Sequence, residues 1–263
     1  MEKVQLGNHV IAYRDHGEGQ PVVLLHGYCG SSDYFEEVLP QLVKQYRCIV
    51  PDLRGHGESG TPNNSCSISD MADDIVELLN HLGIQQASVF GHSLGGYLTL
   101  SIADRYPDRL NAFGLIHSTA YPDSDEAKEK RLRAVSTIQT EGIQPFVDAL
   151  VPNLFAAEHQ TTMVSKIDRV REIGYRTSPQ GASNTAIAMK ERPDLRHVLD
   201  EASVPVLLIA GEQDAVVPPD RTFTSDSPRV TQSLITDAGH MSMVEQPDEF
   251  LRALTSFMNN NVK

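Results

Sequence analysis

Three observations predict an α/β chain built on a mostly parallel central sheet, with a helical cap inserted into it. Short apolar runs bounded by turn residues alternate with segments of helical periodicity, the pattern of βαβ units. Several of these runs, among them Val22-Val23-Leu24-Leu25 and Val206-Leu207-Leu208-Ile209, are apolar throughout instead of alternating, as strands covered on both faces require. The alternation then breaks between Thr119 and Val198, where about 80 residues carry helical patterns and no convincing strand. A chain of 263 residues is long enough for one large domain with an insertion. The expected organisation is a core of residues 1–118 and 199–263 and a cap of residues 119–198.

Taken in order, Lys3 to Leu6 reads as an edge strand, followed by strands at Val10 to Asp15 and Val22 to His26. Tyr34 to Gln45 is amphipathic and predicts a helix, and Arg47 to Pro51 a strand. In Ser67 to Leu82 the residues Met71, Ile75, Leu78, Leu79 and Leu82 share one helical face. Ser67 with Asp70 forms an entry of the capping-box type, with Asp in place of the preferred Glu or Gln, and Gly83 stops the helix. Ala87 to Phe90 is a strand, Gly96 to Tyr106 a helix and Ala112 to Ile116 a strand. Within the cap, Asp123 is placed to cap the charged segment Ala127 to Glu141, and Ser178-Pro179 marks a further helix start. Lys128, Glu129, Lys130, Arg131 and Arg133 read as a solvated face. Strands at Val204 to Ala210 and Gln232 to Ile235 and a helix from Pro247 to Met258 complete the core, with Asn259-Asn260-Asn261 as a frayed end.

Charge and composition exclude several classes. The 22 basic against 35 acidic residues leave a formal charge of −13, which repels phosphate backbones and anionic lipid surfaces. The start, Met1-Glu2-Lys3-Val4-Gln5, has no basic region leading into an apolar stretch, and no apolar run approaches the roughly 18 to 20 residues that span a bilayer. A cytoplasmic protein with neither nucleic acid nor membrane as partner is expected; the sequence does not address oligomeric state. Cys29, Cys48 and Cys66 are odd in number and widely spaced, which points to reduced structural thiols and not to a disulfide framework or a zinc site.

The chemistry is concentrated in Gly91-His92-Ser93-Leu94-Gly95, which follows the strand Ala87 to Phe90 and opens a helix. A Gly-x-Ser-x-Gly turn of this kind is so sharp that a side chain two positions either side of the serine collides with neighbouring backbone. It holds the hydroxyl in front of the helix N-terminus, so Ser93 is the expected nucleophile. Serine needs a positioned base, and usually a carboxylate to orient that base. His240 follows the last strand in Thr236-Asp237-Ala238-Gly239-His240, and Asp214 follows another strand in Gly211-Glu212-Gln213-Asp214. Ser93, Asp214 and His240 thus each lie just past the C-terminal end of a strand, where open α/β sheets place their sites. Glu212, Asp220 and Asp237 are alternative acids nearby, and Asp123 is the stronger rival after the sixth strand. His26 and His56 read as loop-shaping groups, and His92 is expected to point away from the site that Ser93 faces. Cys29 is not expected to act as a nucleophile.

As a set, Leu24-Leu25-His26-Gly27, Asp52-Leu53-Arg54-Gly55-His56-Gly57-Glu58-Ser59, the Ser93 turn, Gly211-Glu212-Gln213-Asp214 and Gly239-His240 with Glu245-Gln246-Pro247 closely resemble the α/β-hydrolase superfamily. The resemblance covers Gly19 to Ser118 and Asp194 to Met258. It implies an eight-stranded, mostly parallel sheet flanked by helices, with a helical lid after the sixth strand. It also implies an oxyanion hole from the backbone amides of Leu94 and Tyr28. The single glycine before Tyr28 departs from the His-Gly-Gly-Gly form of some lipases and esterases. A serine at the turn disfavours the dehalogenases and epoxide hydrolases of this fold, which carry aspartate there.

The resulting expectation is a serine carboxylesterase acting on small to medium neutral esters, a small-molecule substrate, through an acyl-enzyme on Ser93. Lactonase, thioesterase, carbon–carbon hydrolase and hydroxynitrile lyase activities are Ser-triad alternatives, and a ligand sensor on the same fold is the alternative from another class. Leu150, Leu154, Phe155, Met163, Met189 and Met241 are candidates to line the substrate pocket. No metal is expected, since no His-x-x-x-His or clustered carboxylate pattern supplies convergent ligands, and no dinucleotide cofactor, since the glycine spacing after Phe90 is wrong for Gly-x-Gly-x-x-Gly.

Overall fold

A computed structural model describes residues 1–62 and 65–262. Two consecutive strands, β1 (Glu2–Leu6) and β2 (His9–His16), form a hairpin turned by Gly7 at φ +52°. They are followed by β3 (Pro21–Leu25), β4 (Arg47–Pro51), β5 (Ala87–His92), β6 (Leu110–Ile116), β7 (Val206–Gly211) and β8 (Val230–Ile235). The eight strands are ordered β1-β2-β4-β3-β5-β6-β7-β8; β2 is antiparallel to both of its neighbours and the other pairings are parallel.

The continuous apolar runs earn their place by filling two cores at once. Side chains alternate across a strand, so Val22 and Leu24 join the core on one face while Val23 and Leu25 join the other; Leu207 and Ile209 divide from Val206 and Leu208 in the same way. One face is covered by α1 (Ile68–His81) and α2 (Leu94–Arg105), through residues such as Met71, Ile75 and Leu98. Phe250, Leu254 and Phe257 of the C-terminal helix, Pro247–Asn261, cover the other. The capping box at α1 forms as expected, with Ser67 Oγ accepting from the Asp70 amide and the Asp70 carboxylate accepting from the Ser67 amide.

Two core elements depart from expectation. Tyr34 to Gln45 is not one helix: a 3-10 turn at Ser32–Phe35 is followed by a separate turn at Leu39–Leu42. Pro40 lacks an N–H, and its ring opposes the carbonyl four residues back, so helix cannot run through it and restarts with proline in its first turn. The C-terminal helix, by contrast, continues through Asn259–Asn261 instead of fraying, and the Tyr46 hydroxyl donates to Asn259 Oδ1 at 3.2 Å.

Between β6 and β7 the chain is helical and carries no strand among the described residues. Its main elements are α3 (Asp125–Glu141), α4 (Ile143–Leu150), α5 (Val164–Tyr175) and α6 (Pro179–Lys190). The N-cap of α3 is Ser124, whose Oγ accepts from the Ala127 amide at 3.2 Å. Asp123 does not cap it, because its carboxylate is held by Arg131 and Arg192. No described helix is long and apolar enough to cross a membrane.

The helical segment meets the core at two glycines. Gly55 adopts φ +76°, and a Cβ on Gly181 of α6 would come within 2.5 Å of the Gly55 Cα. The Ser178 amide donates to the Gly55 carbonyl at 3.0 Å, and the Tyr28 hydroxyl to the Ala182 carbonyl at 2.9 Å. Gly181→Ala therefore forces the two segments apart, and a loss of about 1–3 kcal/mol is expected from this overpacking. Urea denaturation followed by circular dichroism measures it; an unchanged midpoint would mean that the two backbones are not held together in solution.

Candidate active site

Ser93 joins β5 to α2 at φ 50° and ψ −111°, a conformation that non-glycine residues rarely adopt. Hydrogen bonds hold it there: its amide donates to the Ile116 carbonyl at 2.9 Å, while its own carbonyl accepts from Ser118 Oγ at 2.7 Å and the Gly96 amide at 2.9 Å. Glycine is mandatory around it. A Cβ on Gly91 would lie 2.0 Å from the Gly95 carbonyl oxygen, one on Gly95 2.4 Å from the Leu25 carbonyl oxygen, and one on Gly96 2.3 Å from Ser118 Oγ. Leu94, the first residue of α2, presents an N–H at a helix N-terminus, where the first amides have no intrahelical acceptor.

Asp214 follows β7 and is buried, with both oxygens engaged. Oδ1 accepts from the Val216 and Val217 amides at 2.8 and 2.9 Å, and Oδ2 accepts from His240 Nδ1 at 2.8 Å and lies 3.1 Å from His117 Nδ1. Burial by itself would raise this carboxyl, but the His240 charge and the hydrogen bonds from both imidazoles outweigh burial and hold it well below the usual carboxylate range.

The His240 loop is fixed from beneath by Glu245. Its Oε1 accepts from the amides on either side of His240, Gly239 at 2.9 Å and Met241 at 3.1 Å. Its Oε2 reaches the Ala156 amide at 2.8 Å and His159 Nδ1 at 2.7 Å. The His240 amide in turn donates to the Leu154 carbonyl at 2.7 Å, so the loop is tied to the helical segment.

Ser93 and His240 open into one cavity of about 360 Å³, roofed by the helical segment. Tyr28, Leu150, Leu154 and Met189 line it. Three other expected lining residues do not. Met241 is fully buried in the core beneath the His240 loop, Phe155 is packed in the same core, and Met163 sits half-buried at the entry to α5. An apolar residue next to a site residue was drawn into the core by the same packing that fixes the site.

Of the alternative acids, Asp123 lines the cavity wall bound to Arg131 and Arg192, and among the described residues the carboxylate on His240 is that of Asp214. His92 does not turn away from the site. Its ring lies 4.9 Å from that of His240, inclined at 56° to it, and also lines the cavity, with Nε2 2.8 Å from the His240 carbonyl oxygen. His26 bridges loops, accepting the Leu53 amide on Nε2 at 2.9 Å. Burial pushes the Cys29 thiol far above its ordinary value, which removes the thiolate a nucleophile requires.

Two groups escaped the sequence reading. His117 has φ 49°, lies behind Asp214 and reaches Ser242 Oγ from Nε2 at 2.6 Å. With Asp214 and His240 it forms a cluster whose ligand-type atoms lie within 4.8 Å of one another, a convergence that sequence spacing concealed. Both Nδ1 atoms are already directed at the same carboxylate oxygen, so the cluster is hydrogen-bonded within itself. The second is Arg131, which lines the cavity and does not belong to a solvated face. Its signal was available: with Ala127, Ala134 and Ile138 it falls on the single semi-buried stripe of α3, at offsets of three to four residues.

The α/β hydrolase fold family matches residues 20–247, and the chain belongs to it. A thermophilic esterase from Thermogutta terrifontis, solved with malate bound, is 32% identical, with 99% of each chain covered and a TM-score of 0.94. An enol-lactonase from Burkholderia xenovorans LB400 is 25% identical over 98% of this chain and 100% of its own, with a TM-score of 0.89. The 2-(acetamidomethylene)succinate hydrolase of Mesorhizobium japonicum is 28% identical over 269 residues, 98% of this chain and 94% of its own.

The buried imidazoles set the response to acid. Burial drives His26 down to about 3 and His56 to about 4, and also lowers His92 and His117. These rings stay neutral in the fold but take up protons in the unfolded chain below their ordinary value of 6.5. The unfolded state thus binds more protons as pH falls from about 6.5 toward 4, and stability is lost over that window. Asp214, with its lowered value, stays ionised in both states above about pH 4 and contributes no slope there. Calorimetry is expected to show Tm falling by ~5 °C or more between pH 7 and pH 5, with a shallower fall in His56→Gln; a flat profile would count against neutral buried rings.

Proposed function

We propose that this protein is a serine hydrolase that cleaves small to medium carboxylic esters through an acyl-enzyme on Ser93. The observation that carries the reading is the strained Ser93 opening into the same cavity as His240, whose Nδ1 is held at 2.8 Å by Asp214. His240 takes the Ser93 proton as the hydroxyl attacks the ester carbonyl, and Asp214 fixes the imidazole tautomer and stabilises the imidazolium. The amides of Tyr28 and Leu94 receive the oxyanion, and one such donor contributes about 3–4 kcal/mol of transition-state stabilisation. His240 returns the proton to the leaving alcohol, then activates the water that releases the acid from Ser93. Residues 119–198 act as the lid that shapes the pocket, over a core of residues 1–118 and 199–263.

A lactone is an internal ester, so the same groups open one, the leaving alcohol remaining tethered to the acyl product. The match to an enol-lactonase along nearly the whole chain supports lactone hydrolysis as a second reading of equal chemical standing.

Turnover of p-nitrophenyl acetate tests the shared mechanism. Ser93→Ala is expected to lower kcat by at least ~10³-fold and Asp214→Asn by ~10⁴-fold, with the fold intact by circular dichroism. Wild-type turnover no faster than that of Ser93→Ala would end the hydrolase reading and leave a binding protein on this fold. A panel of acyl-chain lengths and lactones on the wild-type protein then separates esterase from lactonase.

A further inference from the structure

One part of the cavity lining carries a local excess of positive charge in a protein whose formal charge is −13. Arg131, Arg192 and Arg221 all line the cavity, whereas Asp123 is the one carboxylate among the described lining residues. Lys130 also reaches the wall but is balanced by Glu126 at 2.8 Å on the solvent side.

The three guanidinium groups are not equivalent. Arg192 is immobilised: it pairs with Asp123, donates to the Tyr121 and Met189 carbonyls at 3.2 and 2.9 Å, and stacks 4.0 Å over the Tyr97 ring. Arg131 gives only its Nε to Asp123, at 3.1 Å, and its two terminal nitrogens have no partner within the described protein. Arg221 stacks 4.0 Å over the Tyr121 ring and has no carboxylate partner among the described ion pairs. Asp123 therefore neutralises one of the three charges and leaves two. Asp123 thus holds the half-buried Arg131 in position, while Arg221 is exposed at the cavity rim and rests on the Tyr121 ring.

A guanidinium with two free parallel N–H groups on a half-buried wall fits a carboxylate in a bidentate fork. We propose that this wall is an anion subsite in which Arg131, supported by Arg221, binds a free carboxylate of the substrate. The protein then takes half-esters of dicarboxylic acids, or lactones that carry a carboxylate, in preference to neutral esters. The proposal rests on the hydrolase reading for its substrate class, but the subsite itself is independent of turnover. It departs from the neutral ester expected from sequence, because Arg131 lies on the cavity wall and not in solvent.

Monomethyl glutarate and methyl hexanoate, matched in length, are compared by pH-stat titration at low salt. The wild-type kcat/KM is expected to favour the charged ester by tenfold or more. In Arg131→Gln that ratio collapses toward one, chiefly through KM, and Arg131→Lys restores part of it; Arg221→Gln reduces it by a smaller factor. A wild-type ratio at or below one, or a ratio unaltered in Arg131→Gln, would overturn the subsite, as would an equal loss on both esters, which marks a purely structural role for the Arg131–Asp123 pair. Calorimetric titration of glutarate into Ser93→Ala protein reads the subsite without catalysis. Binding weakened tenfold or more by adding Arg131→Gln supports it even if the hydrolase reading fails, and binding indifferent to Arg131 overturns it.

Discussion

Everything at this site depends on how closely α2 can approach the end of β5. The backbone of Gly91 packs against that of Gly95, and Gly95 against Leu25 of the neighbouring strand, at separations that admit no Cβ. That contact forces Ser93 into φ 50° just past the C-terminal end of β5, a central strand of the sheet. The strain is borne by the surrounding structure: Ile116 and Ser118, both at the end of β6, hold the Ser93 amide and carbonyl. A side chain so positioned loses little entropy on meeting a bound molecule, which is the advantage of building a site on rigid elements and not on a mobile loop.

The remaining parts of the site come from β6, β7 and β8, and they are joined by buried charge. Asp214 Oδ2 is shared by two imidazoles, while Glu245 holds the amides flanking His240 and reaches across to Ala156 and His159. Both carboxylates are buried and surrounded by donors, the condition under which a buried negative charge is tolerated and rigidifying. The loop bearing His240 is thereby coupled to the helical segment that covers the cavity. Pocket shape and the position of His240 are set by one hydrogen-bonded network.

Much of this was legible in the sequence, for identifiable reasons. The apolar runs of β3 and β7 announce strands covered on both faces, and Ser67 with Asp70 announces a helix start, because those signals depend on neighbours along the chain. Gly91, Ser93 and Gly95 announce a turn for the same reason. The helix expected over Tyr34 to Gln45 failed at Pro40, a local signal that was itself present. The pocket was less legible. Met241 and Phe155 are as apolar as Leu154, and only packing decides which of them faces the core and which the cavity.

The sequence by itself determined the class of fold, the order of its strands along the chain and the residue types able to perform acyl transfer, since periodicity, turn chemistry and motif spacing are properties of short stretches. Tertiary structure alone decided that His117 backs Asp214 and that His92 lies against His240, and packing of the α3 stripe turns Arg131 toward the cavity beside Asp123. The two histidine contacts join residues far apart in the chain, 97 positions between His117 and Asp214 and 148 between His92 and His240. Their energies depend on burial and on distance between charges, and neither quantity exists until the sheet and its helices have packed.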